Sequence, residues 1–183
     1  MNRMEPIPQI PQPSLIVITG RPGSGKTTLS HLLAREVRCP LVSRDEMKEG
    51  FIHTAGAAEP GDDIGRQVYE TFFDTVKLLL TRRITLIAEA AFQHKLWAPK
   101  LEPLRAIARV RIIVCSVDHS VSWSRRIERD LKDPGRQRFH PNPVPATEDY
   151  DPPHLDVPTL MVDASNGYQP DFQQLVSFAM KMG

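Results

Sequence analysis

Apolar positions along the chain fall into two alternating periods. Residues 15–19 (LIVIT) form an unbroken, largely β-branched apolar run, the pattern of a strand buried on both faces of a parallel sheet. From Lys26 onward Leu29, Leu32, Leu33 and Val37 recur at helical spacing until Pro40 forbids continuation, which predicts a helix leading to a short second strand at Leu41 and Val42. Residues 63–82 set Ile64, Val68, Phe72, Val76 and Leu79 on one helical face. Residues 84–88 and 110–117 read as two further strands, with a helix in 96–108 starting near Trp97 between them and another from Ser120. Residues 159–162 make a last strand. Residues 171–180 make a terminal helix, with Phe172, Leu175, Val176 and Phe178 to pack. There is no internal repeat.

Strand and helix repeated five times predict an α/β fold, a five-stranded parallel sheet flanked by helices on both faces and joined by right-handed crossovers. At 183 residues the chain suits one domain, expected over 14–183, preceded by a flexible arm over 1–13 that carries Pro6, Pro8, Pro11 and Pro13. The stretch 132–153 is rich in Pro, Gly, Arg and His with little periodicity, longer than a structural connection needs, and reads as a lid. Ligands of such sheets gather at the carboxyl ends of the strands. The residues following Thr19, Val42, Ala88, Val117 and Val162 are therefore the ones to inspect.

Composition narrows the function classes. With 40% hydrophobic and 25% charged residues and no apolar run of spanning length, neither disorder nor a membrane protein is indicated. The N-terminal residues lack the basic start and apolar stretch of a signal peptide, so a cytoplasmic location is expected. Cys39 and Cys115 lie in apolar surroundings and read as buried free thiols. A net charge of +1 gives no global field for gripping a long nucleic acid. The histidines show no metal-ligand spacing, and no zinc is expected.

The chemistry concentrates in Gly20-Arg21-Pro22-Gly23-Ser24-Gly25-Lys26-Thr27, followed by Thr28, which matches G-x-x-x-x-G-K-S/T between a strand and a helix. The glycines let backbone amides turn inward onto phosphate oxygens at the positive end of a helix. Lys26 can reach the β- and γ-phosphates and Thr27 can ligate Mg2+, which points to ATP with magnesium. No N-K-x-D sequence for reading guanine is present, and the third strand ends Leu86-Ile87-Ala88-Glu89 rather than in an Asp-Glu pair. The loop alone does not separate a kinase from other nucleotide-binding proteins.

Ser43-Arg44-Asp45-Glu46-Met47-Lys48 follows the second strand, placing a helix start beside that loop. GRPGSGKTT followed about twenty residues on by SRDEMK resembles the small P-loop kinases related to polynucleotide kinase, zeta toxins, chloramphenicol phosphotransferase and gluconate kinase, an AAA-type kinase group. The resemblance spans roughly residues 15–178 and implies transfer of the γ-phosphate of ATP to a hydroxyl of a small-molecule acceptor. It gives Asp45, the aspartate of the R-D pair, the part of base. Lys48 falls on a basic substrate-contacting position that is usually arginine in that group, and Arg66 where the acceptor pocket is shaped. Glu89 corresponds to the acidic residue that holds magnesium through its waters, where aspartate is commoner. Arg125, Arg129 and Arg138, with Arg126, Arg136 and His140 nearby, correspond to the arginines of helix and lid that face phosphates. Asn166, Gly167 and Tyr168 fall where adenine rests.

Plainer roles compete with these. Ser43 and Glu46 suit a capping box, the reading preferred for Glu46, and Asp45 is an acid favoured in any first helical turn. Glu128, Asp130 and Asp133 can pair with about half of the neighbouring arginines. The competing functions are a polynucleotide 5′-hydroxyl kinase and a non-catalytic ATP-binding switch. A monomer or weak dimer, without membrane partners, is expected.

Overall fold

In the computed structural model, which describes residues 11–55, 62–132 and 150–181, the elements follow one another as strand and helix. They are β1 (Ser14–Gly20), α1 (Lys26–Val37), β2 (Leu41–Ser43), α2 (Arg44–Ala55), α3 (Asp62–Thr81), β3 (Leu86–Glu89), α4 (His94–Leu101), a 3-10 turn (Glu102–Ala106), β4 (Arg109–Ser116), α5 (His119–Lys132), β5 (Thr159–Asp163) and α6 (Phe172–Met180). The sheet has five strands, all parallel, in the order β2-β3-β1-β4-β5. The unbroken apolar run of β1 is explained by this position, since the central strand is buried on both faces.

Alternate residues serve two cores. Leu15 and Val17 face α3 and α4, where Phe72, Phe73, Phe92 and Trp97 form a cluster of mostly edge-to-face rings. Ile16 and Ile18 face α1 and α6, packing with Leu29, Leu33 and Leu175. The chain runs from β1 outward to β2 on one side and later crosses to β4 on the other, so the carboxyl end of β1 is a topological switch point.

Three local features depart from the expected pattern. The helix expected over 96–108 begins at His94 and gives way at Glu102 to a 3-10 turn, because Pro103 has no amide proton and crowds the turn before it. The third strand begins at Leu86 rather than 84. Arg83 adopts φ 61°, its amide bonds the Leu80 carbonyl, and the Ile84 amide bonds the Leu79 carbonyl, so both residues close the end of α3 instead. Cys115 is buried as expected, but Cys39 is only half-buried; both thiols are free, and burial pushes both up, Cys115 to about 12. Among the described residues no helix is long and apolar enough to cross a membrane.

Candidate active site

The glycine loop leaves the sheet where β1 and β4 are still paired, Gly20 opposite Cys115. Gly20 has φ 146°, and a Cβ there would lie 2.3 Å from the Cys115 carbonyl oxygen and 2.7 Å from Ser24 Oγ, so no other residue fits without displacing backbone. The Ser24 amide donates to the Arg21 carbonyl at 3.1 Å, closing the turn. Gly25 takes φ 82° at the start of α1 and, among the described residues, no side chain caps that helix, which leaves its first amides for an external acceptor. Beside them Gly23, Gly25, Lys26, Thr27, Thr28 and Arg125 line a cavity of about 180 Å³, and the wholly buried Ser24 hydroxyl has no partner among the described residues. Pro22 is exposed and Arg21 half-buried on the outer side of the loop. An uncapped helix end, a turn open only to glycine and a lysine at its mouth together fit a chain of phosphates.

Glu89 gathers the centre of the site. Its position at the end of β3 pairs it with Ile18 on one side and Ser43 on the other. Its Oε2 accepts from the Ser43 hydroxyl at 2.8 Å, while Oε1 lies 3.6 Å from Lys26 Nζ and 3.5 Å from Thr27 Oγ1. The side chains of Glu89 and Lys26 are only 1% and 6% exposed. Burial raises the Glu89 pKa above the usual carboxylate range and outweighs the opposing pull of Lys26 and Ser43; Asp45, close enough to be felt, pushes the same way. A threonine hydroxyl beside a carboxylate suits magnesium, which keeps several waters and takes few protein ligands. Among the described residues no three His, Cys, Asp or Glu side chains are grouped to hold an ion by themselves.

Asp45 lies in the first turn of α2, two residues beyond Ser43. Its side chain is 35% exposed, and Arg44 Nη1 donates to its Oδ1 at 3.2 Å. Lys48 is half-buried, and its pKa is lowered by desolvation and then by Arg44, with Asp45 and Glu49 opposing. Ser43 and Glu46 do not form the expected reciprocal cap. The Ser43 hydroxyl donates to Glu89, and Glu46 Oε1 lies 2.7 Å from His31 Nε2, because α1 brings His31 across from α2. Arg66 is exposed on α3, and nothing among the described residues joins it to Asp45 or Lys48.

Arg125, on α5, stands at the loop cavity, but its guanidinium is engaged: Nη1 and Nη2 donate at 2.9 Å to the carbonyls of Ala164 and Ser165. It thereby ties α5 to the turn after β5. That turn is closed by paired backbone bonds between Asp163 and Gln169 at 2.9 Å, with Gly167 at φ 80°, Asn166 beside it and Tyr168 half-buried against the α1 and α6 core. Arg129 belongs to α5, but its side chain, like that of Arg126, lies outside the described part. Arg138, Arg136 and His140 lie outside the described residues, as do positions 133–149 of the expected lid and 1–10 of the expected arm.

The sequence reading missed two groups. Ser43 is a partner of Glu89, visible only once β2 and β3 are placed in register. Tyr150, from the end of the aperiodic stretch, inserts beneath the glycine loop and contacts the Thr19 hydroxyl, itself 2.8 Å from the Ala90 carbonyl. A threonine ending an apolar strand was the available signal for the second.

A family model described as an AAA domain matches residues 15–143. No curated protein sequence matches the chain. Among solved structures, a candidate kinase from Chloroflexus aurantiacus J-10-fl is similar at 27% identity and TM-score 0.79, over 91% of this chain and 96% of that one. The APS kinase CysC of Mycobacterium tuberculosis, solved with AMPPNP and APS, is 14% identical with TM-score 0.66, over 94% of this chain and all (100%) of the other. A gluconokinase from Sinorhizobium meliloti 1021 is 16% identical with TM-score 0.52, over 92% and 90%. The last two are alike in fold alone.

Proposed function

Because the chain belongs to the AAA domain family and has the fold of P-loop kinases, we propose that it is an ATP-dependent phosphotransferase acting on a hydroxyl of a small-molecule acceptor, with Asp45 as base. One observation carries the reading. Asp45 stands two residues from Ser43, whose hydroxyl bonds the same carboxylate, Glu89, that pairs with Lys26, which supports a proton acceptor beside a phosphate clamp at the carboxyl ends of β2 and β3. The kinase names of the structural neighbours, gluconokinase among them, support a small acceptor.

In this reading the amides of Gly23, Gly25, Lys26, Thr27 and Thr28 hold the phosphates, with Arg21, Pro22 and Ser24 closing the turn and Gly20 forming its base. Thr27 and Glu89 hold magnesium, which when bound neutralises charge on the phosphate oxygens. Asp45 orients the acceptor hydroxyl and takes its proton as the oxygen bonds to the γ-phosphorus and the bond to the bridging oxygen breaks, releasing ADP. Lys26, Arg129 and Arg138 face the charge of the transferring group; Lys48 and Arg66 contact the acceptor. Arg125 and Tyr168 border the nucleotide, and closure of the part of the 132–153 stretch that precedes the anchored Tyr150 excludes water. The enzyme works in the cytoplasm as a monomer or weak dimer, and its 14–183 domain is joined at its start by Gln12 and Pro13, whose carbonyls accept from Arg109 at 3.0 and 2.9 Å.

The test is ADP release across a panel of sugars, nucleosides, antibiotics and short oligonucleotides bearing a 5′-hydroxyl. Release that depends on a small acceptor is expected. A response confined to oligonucleotides would make the chain a polynucleotide kinase, and none on any member despite intact nucleotide binding would make it an ATP-sensing module.

A further inference from the structure

Beneath the glycine loop lies a polar cluster to which none of these roles falls. Thr19, the residue before Gly20, is wholly buried; its hydroxyl donates to the Ala90 carbonyl at 2.8 Å and accepts from Trp97 Nε1 at 3.1 Å. The single Tyr150 hydroxyl proton is shared between the same oxygen and the Phe92 carbonyl at 2.9 Å, and the hydroxyl sits beside the Gly20 backbone amide. Burial pushes the phenol up to about 12, so it keeps its proton wherever nucleotide would bind.

The ring is also held from outside. The Asp151 carbonyl accepts from the His94 amide at 2.8 Å, the Asp151 amide donates to Gln93 Oε1 at 3.4 Å, and the His154 amide donates to His94 Nδ1 at 3.2 Å. The His94 and His154 rings lie parallel with centroids 3.5 Å apart. Residues 150–154 thus form a strap across the start of α4, with Tyr150 as its inward-pointing end.

The two segments the phenol joins are the ones whose separation sets the nucleotide site. Thr19 leads directly into the glycine loop and so to Lys26, while Phe92 lies three residues beyond Glu89. The 3.6 Å approach of Lys26 to Glu89 therefore joins the same two chain segments that Tyr150 joins through Thr19 and Phe92.

We propose that Tyr150 is a positioning residue for the nucleotide site: its hydroxyl clamps the end of β1 to the chain leaving β3, so that the loop, Lys26 and Glu89 meet a nucleotide already aligned. Such alignment removes an ordering cost that binding would otherwise bear. The inference rests on the nucleotide half of the proposed function and is independent of the acceptor.

Tyr150→Phe deletes the hydroxyl and keeps the ring. Its control is Tyr69→Phe, which makes the same deletion in the same aromatic cluster, where the Tyr69 hydroxyl donates to the Leu96 carbonyl at 2.9 Å away from the loop. Dissociation constants for magnesium-ATP and for a fluorescent ATP analogue are measured with Tm for both variants. Tyr150→Phe should weaken nucleotide binding about tenfold, the scale of one lost buried hydrogen bond, while Tyr69→Phe stays within about twofold whatever its Tm. Unchanged binding in Tyr150→Phe, or losses in both variants that track Tm, overturns the proposal. Thr19→Val and Thr19→Ser give a second pair should Tyr150→Phe fail to fold: the first should weaken binding and the second retain it, and equal behaviour of the two counts against the clamp. A wild type that binds no nucleotide would instead sink the nucleotide reading itself, a failure visible before any variant is made.

Discussion

Two edges of one site are built to different tolerances. At the nucleotide edge Lys26, Ser43 and Glu89 are almost fully buried, interlocked by hydrogen bonds and an ion pair, and seated on the paired ends of β1, β2 and β3. At the edge proposed for the acceptor, Asp45 and Lys48 are half-exposed on a helix that follows a three-residue edge strand, and Arg66 is exposed on the next helix. The contrast has a physical basis. Phosphate groups are the same in every turnover and can be met by rigid backbone, whereas positions on the surface of an edge helix can change without disturbing a core.

The contrast breaks most severely if Lys26 is neutralised. Lys26→Met should lower single-turnover phosphate transfer by about 10²–10³ or more, because the clamp on developing charge is lost. It also strands Glu89 as an uncompensated buried carboxyl, so Tm should fall as well. Gly20→Ala should follow. With a Cβ at 2.3 Å from the Cys115 carbonyl and an unfavourable φ, denaturant unfolding should show a loss of about 3 kcal/mol.

Alkaline titration sharpens the picture of the buried side. The Tyr150 phenol is raised from 10.0 to about 12, so the unfolded chain loses that proton first; the stability this group contributes is complete below pH 10 and is lost as pH rises toward 12. Tyr150→Phe should therefore show a shallower decline than wild type across that window, by about 2 kcal/mol in chemical unfolding. The smallest effect belongs to the exposed side. Glu46→Gln breaks the His31 pair, in which both side chains are at least half exposed, and should change stability by less than about 1 kcal/mol with turnover unaltered.

Much of the nucleotide edge was legible in the sequence, for identifiable reasons. The unbroken run of β1 and the glycines after it are local signals, and each reports its own backbone environment. What could not be read depends on register and on backbone choices unsupported by side chains. Arg83 closes α3 in a left-handed conformation without being glycine, so Ile84 looked like strand. Ser43 reads as a helix cap until β2 pairs with β3 and turns its hydroxyl to Glu89. Glu46 likewise reads as its capping partner until the packing of α1 presents His31. Tyr150 sits in a stretch without periodicity, where no local pattern separates an anchor from a loop residue. The edge proposed for the acceptor is the less legible of the two because its residues lie on helix surfaces, where no turn or buried register demands a particular side chain.

The proposed transfer turns on Asp45, and the most direct test is the rate of phosphate transfer by Asp45→Asn on an acceptor found in the panel, with the dissociation constant for magnesium-ATP measured on the same preparation. Loss of about 10²–10⁴ in rate with nucleotide affinity unchanged is the predicted result, the scale of a removed general base. Transfer at the wild-type rate with unchanged ATP affinity would contradict the assignment and leave only a nucleotide-binding edge.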